Sequence, residues 1–374
     1  MVREMDFVDE CYADKDLSLL KKLTLVIPTY NRNYYLSRCL WYHAHFPFGQ
    51  IIVADSSPEE KKVVNRETVA KIREMFGADI LYLEYEPETE KYGGDIYRKW
   101  SDAVQRVVTE YSQICTDKEF TIPSSIQNSL KYLEEHDDYI CADGRYYIIR
   151  DPASPRINVW RPSQKSINDD TKYSRFAAYT RYSDPLMAVH RSLIHKQIYS
   201  ELDGSGLETL GFKERFIDVY TFILGKYYHN PNSPFSFRDV IHLYDKHGVV
   251  NKSESSYVRY PTVFHYPLEL YTKEYDIFQS YFMSELDIPN DKLGYFDNWL
   301  TSYLKSYQGI TERYQHLSKI WRIMSKSKLI RVIVQSFYVR LTESHDGVKE
   351  SHETDPILNI INNHALHLSV DLSK

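Results

Sequence analysis

The chain has 374 residues, with 46 Lys plus Arg and 52 Asp plus Glu, so its formal charge is −6. That mild acidity argues against non-specific nucleic-acid binding by the whole chain, which needs a large basic face. Apolar residues make up 43%, enough to bury a sizeable core and too many for global disorder. Tyr is abundant at 33 and Gly scarce at 13. Two readings stay open for the tyrosines: sugar, ring and interface contacts, or an A/T-rich coding bias. The four cysteines, Cys11, Cys39, Cys115 and Cys141, form no CxxC pair, so no zinc or redox motif is expected. Buried thiols in a reduced, cytoplasmic protein are expected instead. The first residues, MVREMDFVDECYADKD, lack the charged-then-apolar order of a signal peptide. No run reaches the roughly 18 apolar residues of a membrane span.

Residues 1–22 are set apart as a leader. Leu23 to Ile27 is short, β-branched and closed by Pro28, which predicts a buried strand. Residues 34–46 have helical spacing. Ile51 to Ala54 predicts a second buried strand, ending at Asp55-Ser56-Ser57-Pro58. A helix over 62–76, a strand from Asp79 to Glu84 and a helix over 95–110 follow. Ser112 to Thr116 predicts a fourth strand. Pro123 is well placed to open a helix running to about His136. Tyr139 to Ala142 and Tyr146 to Ile149 continue as strands. Residues 151–180 are polar and Pro-containing, which predicts a long loop over the cleft. Residues 184–230 return to helical spacing, and the chain from about 255 reads as mostly helical. No internal repeat is visible.

Strands alternating with helices predict a parallel sheet covered on both faces. Ligands then sit beyond the carboxyl ends of the strands, where strand order reverses. Three polar clusters fall at such ends: Pro28-Thr29-Tyr30-Asn31-Arg32, Asp55-Ser56-Ser57 and Asp117-Lys118-Glu119. Asp117 and Glu119, two apart on a strand end, point to one side. Such a pair suits a hard divalent cation bridging a diphosphate; a solvated acidic turn is the plainer alternative. Asp55 suits a hydrogen bond to a base or ribose, or else an Asx turn with Ser56 and Ser57.

The combination LTLVIPTYNRNYYLSRCL, IIVADSS, YRKWSDAVQ and ICTDKEFTIPSSIQNSLKYLEE resembles the family-2-like glycosyltransferases, the inverting nucleotide-sugar transferases of GT-A fold. The resemblance covers residues 23–150 well and runs more loosely to about 245. It implies an α/β fold of the GT-A kind, Rossmann-like, with a mostly parallel sheet and helices on both faces. It implies a nucleotide-sugar half over about 23–150, an acceptor half over about 151–250, and a helical C-terminal region over 251–374. Pro28, Tyr30 and Arg32 then line the nucleotide pocket, and Asp55 contacts the base or ribose. Lys99 and Asp102 lie on the diphosphate-facing helix. Asp117 and Glu119 match the ends of the family's Asp-x-Asp motif, which implies a divalent metal, Mn or Mg. The chain departs from that motif at Lys118 and in ending on Glu, which puts the metal in question.

An inverting transfer needs a general base at the acceptor hydroxyl. The resemblance points to a carboxylate at a helix in the later third of the domain. Asp218 is the first choice, Glu214 the reserve four residues earlier on the same helical face, and Asp184 the third. The plainer reading of Asp218 is a helix carboxylate paired with Arg215 or Lys226. His190 and His195 are spaced unlike HExxH and read as ordinary core or surface histidines. Between Arg313 and Thr342 there is no Asp or Glu. The cations there interleave with Ile, Leu, Trp and Phe, as in a helix lying on an anionic membrane or packing on the domain itself.

The sequence thus leads to a cytoplasmic glycosyltransferase, peripheral to the inner membrane face. It would use a nucleotide-diphosphate sugar, UDP-sugar first, and a glycan or lipid-linked acceptor, in surface-polysaccharide (capsule or lipooligosaccharide) assembly. No nucleic-acid partner is expected. A non-catalytic binding scaffold of the same fold and a metal-independent transferase are the alternatives.

Overall fold

The computed structural model describes residues 11–87, 96–149, 157–160, 164–179, 185–239 and 268–286. Nine strands form one sheet among them: β1 (Leu23–Thr29), β2 (Gln50–Asp55), β3 (Ile80–Glu84), β4 (Tyr111–Ile114), β5 (Glu119–Thr121), β6 (Tyr139–Ile149), β7 (Ile157–Trp160), β8 (Val189–Arg191) and β9 (Lys226–Asp239). The helices are α1 (Asn33–His43), α2 (Glu59–Phe76), α3 (Ile96–Gln105), α4 (Pro123–Glu135), α5 (Lys172–Ala178), α6 (Ser192–Gly204), α7 (Leu210–Leu224) and α8 (Leu268–Leu286).

Strand order is β3-β2-β1-β4-β8-β6-β9-β5, with β7 paired to β6. The first four strands are mutually parallel. Leu25, Val26, Ile27, Ile52 and Val53 are fully buried, as continuous β-branched runs must be when helices cover both faces. Beyond β4 the sheet is mixed: β8 runs antiparallel to β4 and β6, β9 runs parallel to β6, and β5 closes the edge antiparallel to β9. The parallel alternation expected from the sequence therefore holds for one half. In the other half, β8 reverses direction.

The two short strands expected at 139–142 and 146–149 are one strand, β6. Register shifts around Gly144 against β9 bend it, and a Cβ there would strike the Ser233 carbonyl and crowd Phe235. Residues 164–179, expected as loop, hold α5 and an isolated bridge from Ile167 to Tyr227. Residues 11–22, expected as a leader, pack inward: Tyr12 and Leu20 are buried, and Tyr12 meets Phe46 edge-on at 4.9 Å. Of the helical C-terminal region, α8 is described; it packs Phe278 and Phe282 into the core beside Phe212 and Phe216. The basic stretch 313–342 and Asp184 lie outside the described residues. No helix of the described residues is long and apolar enough to cross a membrane.

His190 and His195 are core residues, with rings stacked at 4.4 Å. The His190 Nε2 proton is held by the Pro185 carbonyl at 2.8 Å, and His195 Nδ1 bonds the Ser112 hydroxyl at 2.8 Å. Burial lowers the pKa of His190 from 6.5 to about 4. Burial, then the neighbouring His190, pushes His195 down further. Both rings fold neutral, so their contribution is complete above pH 6.5 and is lost as pH falls toward 4. Urea unfolding across pH 6.5 to 5 should show stability falling, by up to about 1.4 kcal/mol per pH unit for each such group. His190→Gln should flatten that slope; a wild-type profile already flat would contradict the assignment.

Candidate active site

The strand order reverses between β1 and β4, which is where an open α/β sheet leaves a crevice at its carboxyl edge. Thr29 ends β1, and Asp117 follows β4. Their side chains join across the crevice: the Thr29 hydroxyl donates to Asp117 Oδ2 at 2.8 Å. Arg32 Nη1 donates to Asp117 Oδ1 at 3.2 Å. Between them, Asn31 turns the chain in the left-handed region (φ 56°) and donates its N–H to Ser57 Oγ at 2.8 Å. Asn tolerates that conformation better than most side chains. The PTYNR segment is thus a turn that ties the end of β1 to the end of β2 and aims Arg32 back at Asp117.

Lys99 reaches the same place from α3. The residue is 4% exposed, and its ammonium donates to the Thr29 carbonyl at 3.0 Å and to Ser56 Oγ at 2.5 Å. Asp55 is fully buried. It accepts the Ser57 N–H at 2.7 Å, the Asn65 amide at 2.7 Å and the Tyr82 hydroxyl at 2.6 Å. That is the Asx-turn arrangement, and it commits most of the carboxylate to holding the strand end. Pro28 is buried in β1 opposite Ala54, and Tyr30 is half-buried in the turn. Asp102 stands apart from this network: it accepts from Tyr85 at 2.7 Å and faces Arg106 at 3.5 Å.

Asp117 and Glu119 do not act as a pair. Glu119 begins β5, in register with Arg238 of β9. Its Oε1 accepts Arg238 Nε at 2.8 Å and Nη2 at 2.6 Å, and its Oε2 accepts the Thr116 N–H at 2.9 Å. The Thr116–Glu119 turn separates the two carboxylates, and each is already neutralised by an arginine. Lys118 lies at that turn with its ammonium 4.3 Å from the Tyr35 ring centre. Burial, then the Arg32 charge, lowers the Lys118 pKa. A divalent cation such as Mg²⁺ is held by one or two carboxylates together with substrate phosphates; at this turn both carboxylates are paired with arginines, and Lys118, between them in the chain, adds an ammonium. The residues here do not fit the metal that the sequence motif suggests.

Cys39, His43 and Cys115 converge beneath the same turn, with their ligand atoms within 4.8 Å of one another. All three are fully buried. His43 Nδ1 donates to the Cys39 carbonyl at 2.8 Å, and Nε2 accepts the Thr121 N–H at 3.3 Å. Nε2 thus joins α1 to β5, while Nδ1 bonds within α1. Sequence spacing had no means of finding this trio, because its members come from a helix and a strand end 72 residues apart.

The two carboxylates of α7 differ. Asp218 is buried, and its Oδ2 accepts Arg215 Nη1 at 2.6 Å and the Tyr179 hydroxyl at 3.1 Å. The Arg215 pairing read from the sequence is the one observed. Glu214 is half-buried, and among the described residues it has no hydrogen bond or ion pair. Both lie near Tyr97 of α3, which is buried and whose pKa is raised first by burial and then by Glu214, Tyr199 and Asp218. No hydrogen bond among the described residues joins this second cluster to the Asp117 network.

Sequence reasoning missed Tyr35, Arg38, Tyr179, Arg238 and Asp239, and gave Thr29 no role of its own. Thr29 stood in the strand-end PTYNR cluster, but nothing in the sequence paired it with Asp117. Arg238 and Asp239 sit in a strand whose two prolines hid it.

No family model matches the chain, and no curated protein matches it. Solved structures do. Residues 1–349 of S. aureus TarS in complex with UDP-GlcNAc align over 76% of this chain and 71% of that one, with TM-score 0.50 and 12% identity. The same TarS segment with UDP gives TM-score 0.47 at 13% identity over 76% and 70%. A longer form of TarS gives 0.46 at 13% identity, and this chain spans 43% of its length. With the mixed sheet and its helices on both sides, the likeness to TarS 1–349 in its UDP-GlcNAc complex establishes a GT-A-like α/β fold.

The environments of Asp218 and Glu214 make a direct test on stability. Asp218→Ala removes the buried carboxylate that Arg215 and Tyr179 share, and should cost on the order of 3 kcal/mol in urea unfolding. Glu214→Gln should stay within about 0.5 kcal/mol of wild type. Equal losses would mean that Glu214 is as embedded as Asp218.

Proposed function

We propose that the chain is a glycosyltransferase that takes a nucleoside-diphosphate sugar at the β1–β4 crevice. The observation that carries this reading is the Thr29–Asp117–Arg32 linkage, with Lys99 behind it, at the switch point of a GT-A-like sheet. Such a crevice is where nucleotides bind in open α/β sheets. TarS, whose complex with UDP-GlcNAc shares this fold at low identity, supports a UDP-sugar as the first donor to try. In this reading Tyr30 and the Asp55–Ser57 turn face the nucleoside, and the PTYNR turn and α3 face the diphosphate. The resemblance noted in the sequence supplies the finer elements: inversion, and a glycan or lipid-linked acceptor in surface-polysaccharide assembly. Contact with the membrane's inner face would fall to residues 313–342.

Transfer with inversion is one displacement. The acceptor oxygen forms a bond to the anomeric carbon while the bond to the diphosphate breaks, and a base takes the hydroxyl proton. Among the α7 carboxylates Glu214 suits that role better than Asp218. A base needs one carboxylate oxygen within reach of the acceptor hydroxyl; Asp218 is buried, and its Oδ2 already accepts from Arg215 and Tyr179. Asp218 then fixes the helix against α5, while Glu214, one turn earlier, is the carboxylate left to meet an acceptor. Charge developing on the departing diphosphate is met by the cations at the crevice.

The non-catalytic scaffold remains the second reading, because Asp117, Glu119 and Asp55 all have internal partners. It predicts donor binding without turnover. Nucleoside-diphosphate release should therefore be measured across nucleotide sugars, UDP-GlcNAc first, with glycan acceptors and with water. Glu214→Gln should lower kcat by about 10²–10⁴ with little change in donor KM. Undiminished turnover would remove Glu214 as the base, and binding without any turnover would select the scaffold.

A further inference from the structure

We propose that Arg32 and Lys118 are the cations that hold the donor diphosphate, and that this site works without a divalent metal. The inference rests on the donor reading above. It replaces the ion that an Asp-x-Asp motif would hold with two side chains of this chain.

The first support is what each carboxylate shows to solvent. Asp117 is 1% exposed and Arg32 is 34% exposed. The carboxylate sits behind the guanidinium, with Thr29 on its other oxygen. A ligand arriving at this strand end therefore meets a positive group, not a bare anion. Glu119, at 2% exposure, is likewise covered by Arg238 at 26%. Opposite charge at the surface selects an anion as the ligand.

The second support is how Lys118 is held. Tyr35, in the first turn of α1, carries the Lys118 ammonium over its ring at 4.3 Å. Arg38, one turn later, contacts the same residue at 4.9 Å and is locked by a buried ion pair with Asp239 at 2.5 Å. The Lys118 carbonyl accepts the Asp239 N–H at 2.9 Å. Helix, strand end and turn thus fix the lysine beside the start of α1, where Arg32 stands. Asp117 and Asp239 offset part of the charge of these two cations, and the positive charge that remains disfavours a further cation, Mg²⁺ or Mn²⁺. A diphosphate, with at least two negative charges, satisfies both, and guanidinium and ammonium both bind phosphate oxygens well.

Calorimetric titration of the full chain with UDP, GDP, CDP and TDP tests this, in EDTA and again with Mg²⁺ or Mn²⁺. One diphosphate should bind equally well in both. Lys118→Ala should weaken it by about tenfold or more, the usual worth of a charge-assisted hydrogen bond, and leave the affinity of the matching nucleoside unchanged. Lys118→Arg should restore most of the loss. Melting curves confirm that each variant is folded. Binding that appears only with metal, or an unchanged diphosphate affinity in folded Lys118→Ala, would overturn the inference while leaving the donor reading intact. If none of the four binds under any condition, the donor reading itself is overturned, and this inference with it.

Discussion

The hydrogen bond from Thr29 to Asp117 is the contact on which the candidate site depends. It spans the one place in the parallel half of the sheet where neighbouring strands diverge in their connections. β1 leads away to β2 on one side, and β4 returns on the other, so no crossover fills the gap between their ends. The polar groups exposed there have to be satisfied by something other than the ladder. The PTYNR turn, the Asp55 turn and Lys99 do this. Each joins two strand ends, and together they make a rigid floor of paired charges.

That floor is tightly balanced. Asp117, Glu119 and Asp239 lie at the same edge, and each faces an arginine. Buried carboxylates are tolerated when paired in this way or, as at Asp55, when held by several hydrogen bonds. Lys99 and Lys118 add two further positive charges at this edge, beside the buried Asp55 carboxylate. Lys99 is absorbed by the Thr29 carbonyl and Ser56. Lys118 is held on an aromatic face, where burial and Arg32 both disfavour its charge. An arrangement that costs free energy in the unliganded fold is characteristic of sites built for a ligand.

The first half of this fold was legible in the sequence, and the second was not, for physical reasons. β1, β2 and their helices announce themselves because strands buried on both faces are continuous runs of Val, Ile and Leu, each punctuated by Pro, Asp or Ser. β9 carries Pro231 and Pro234 among polar residues, a pattern that normally demotes a strand; it survives because its prolines fall at the bulged part of its pairing with β6. The same gap hid part of the site. Glu119 and Asp117 look equivalent two residues apart, but only the β5–β9 register reveals that Glu119 belongs to Arg238. Asp218 and Glu214 share a helical face in the sequence. What separates them is Tyr179, which comes from a segment that reads as loop.

A crystal structure of the chain with its bound nucleoside diphosphate, grown in the presence of Mg²⁺, addresses the central claim most directly. The expected result is a diphosphate at the carboxyl ends of β1 and β4, within hydrogen-bond reach of Arg32 and Lys118, with Asp117 still paired to Thr29 and no cation between them. A nucleotide bound elsewhere, or a metal ion ligated by Asp117 after Arg32 has swung away, would contradict it.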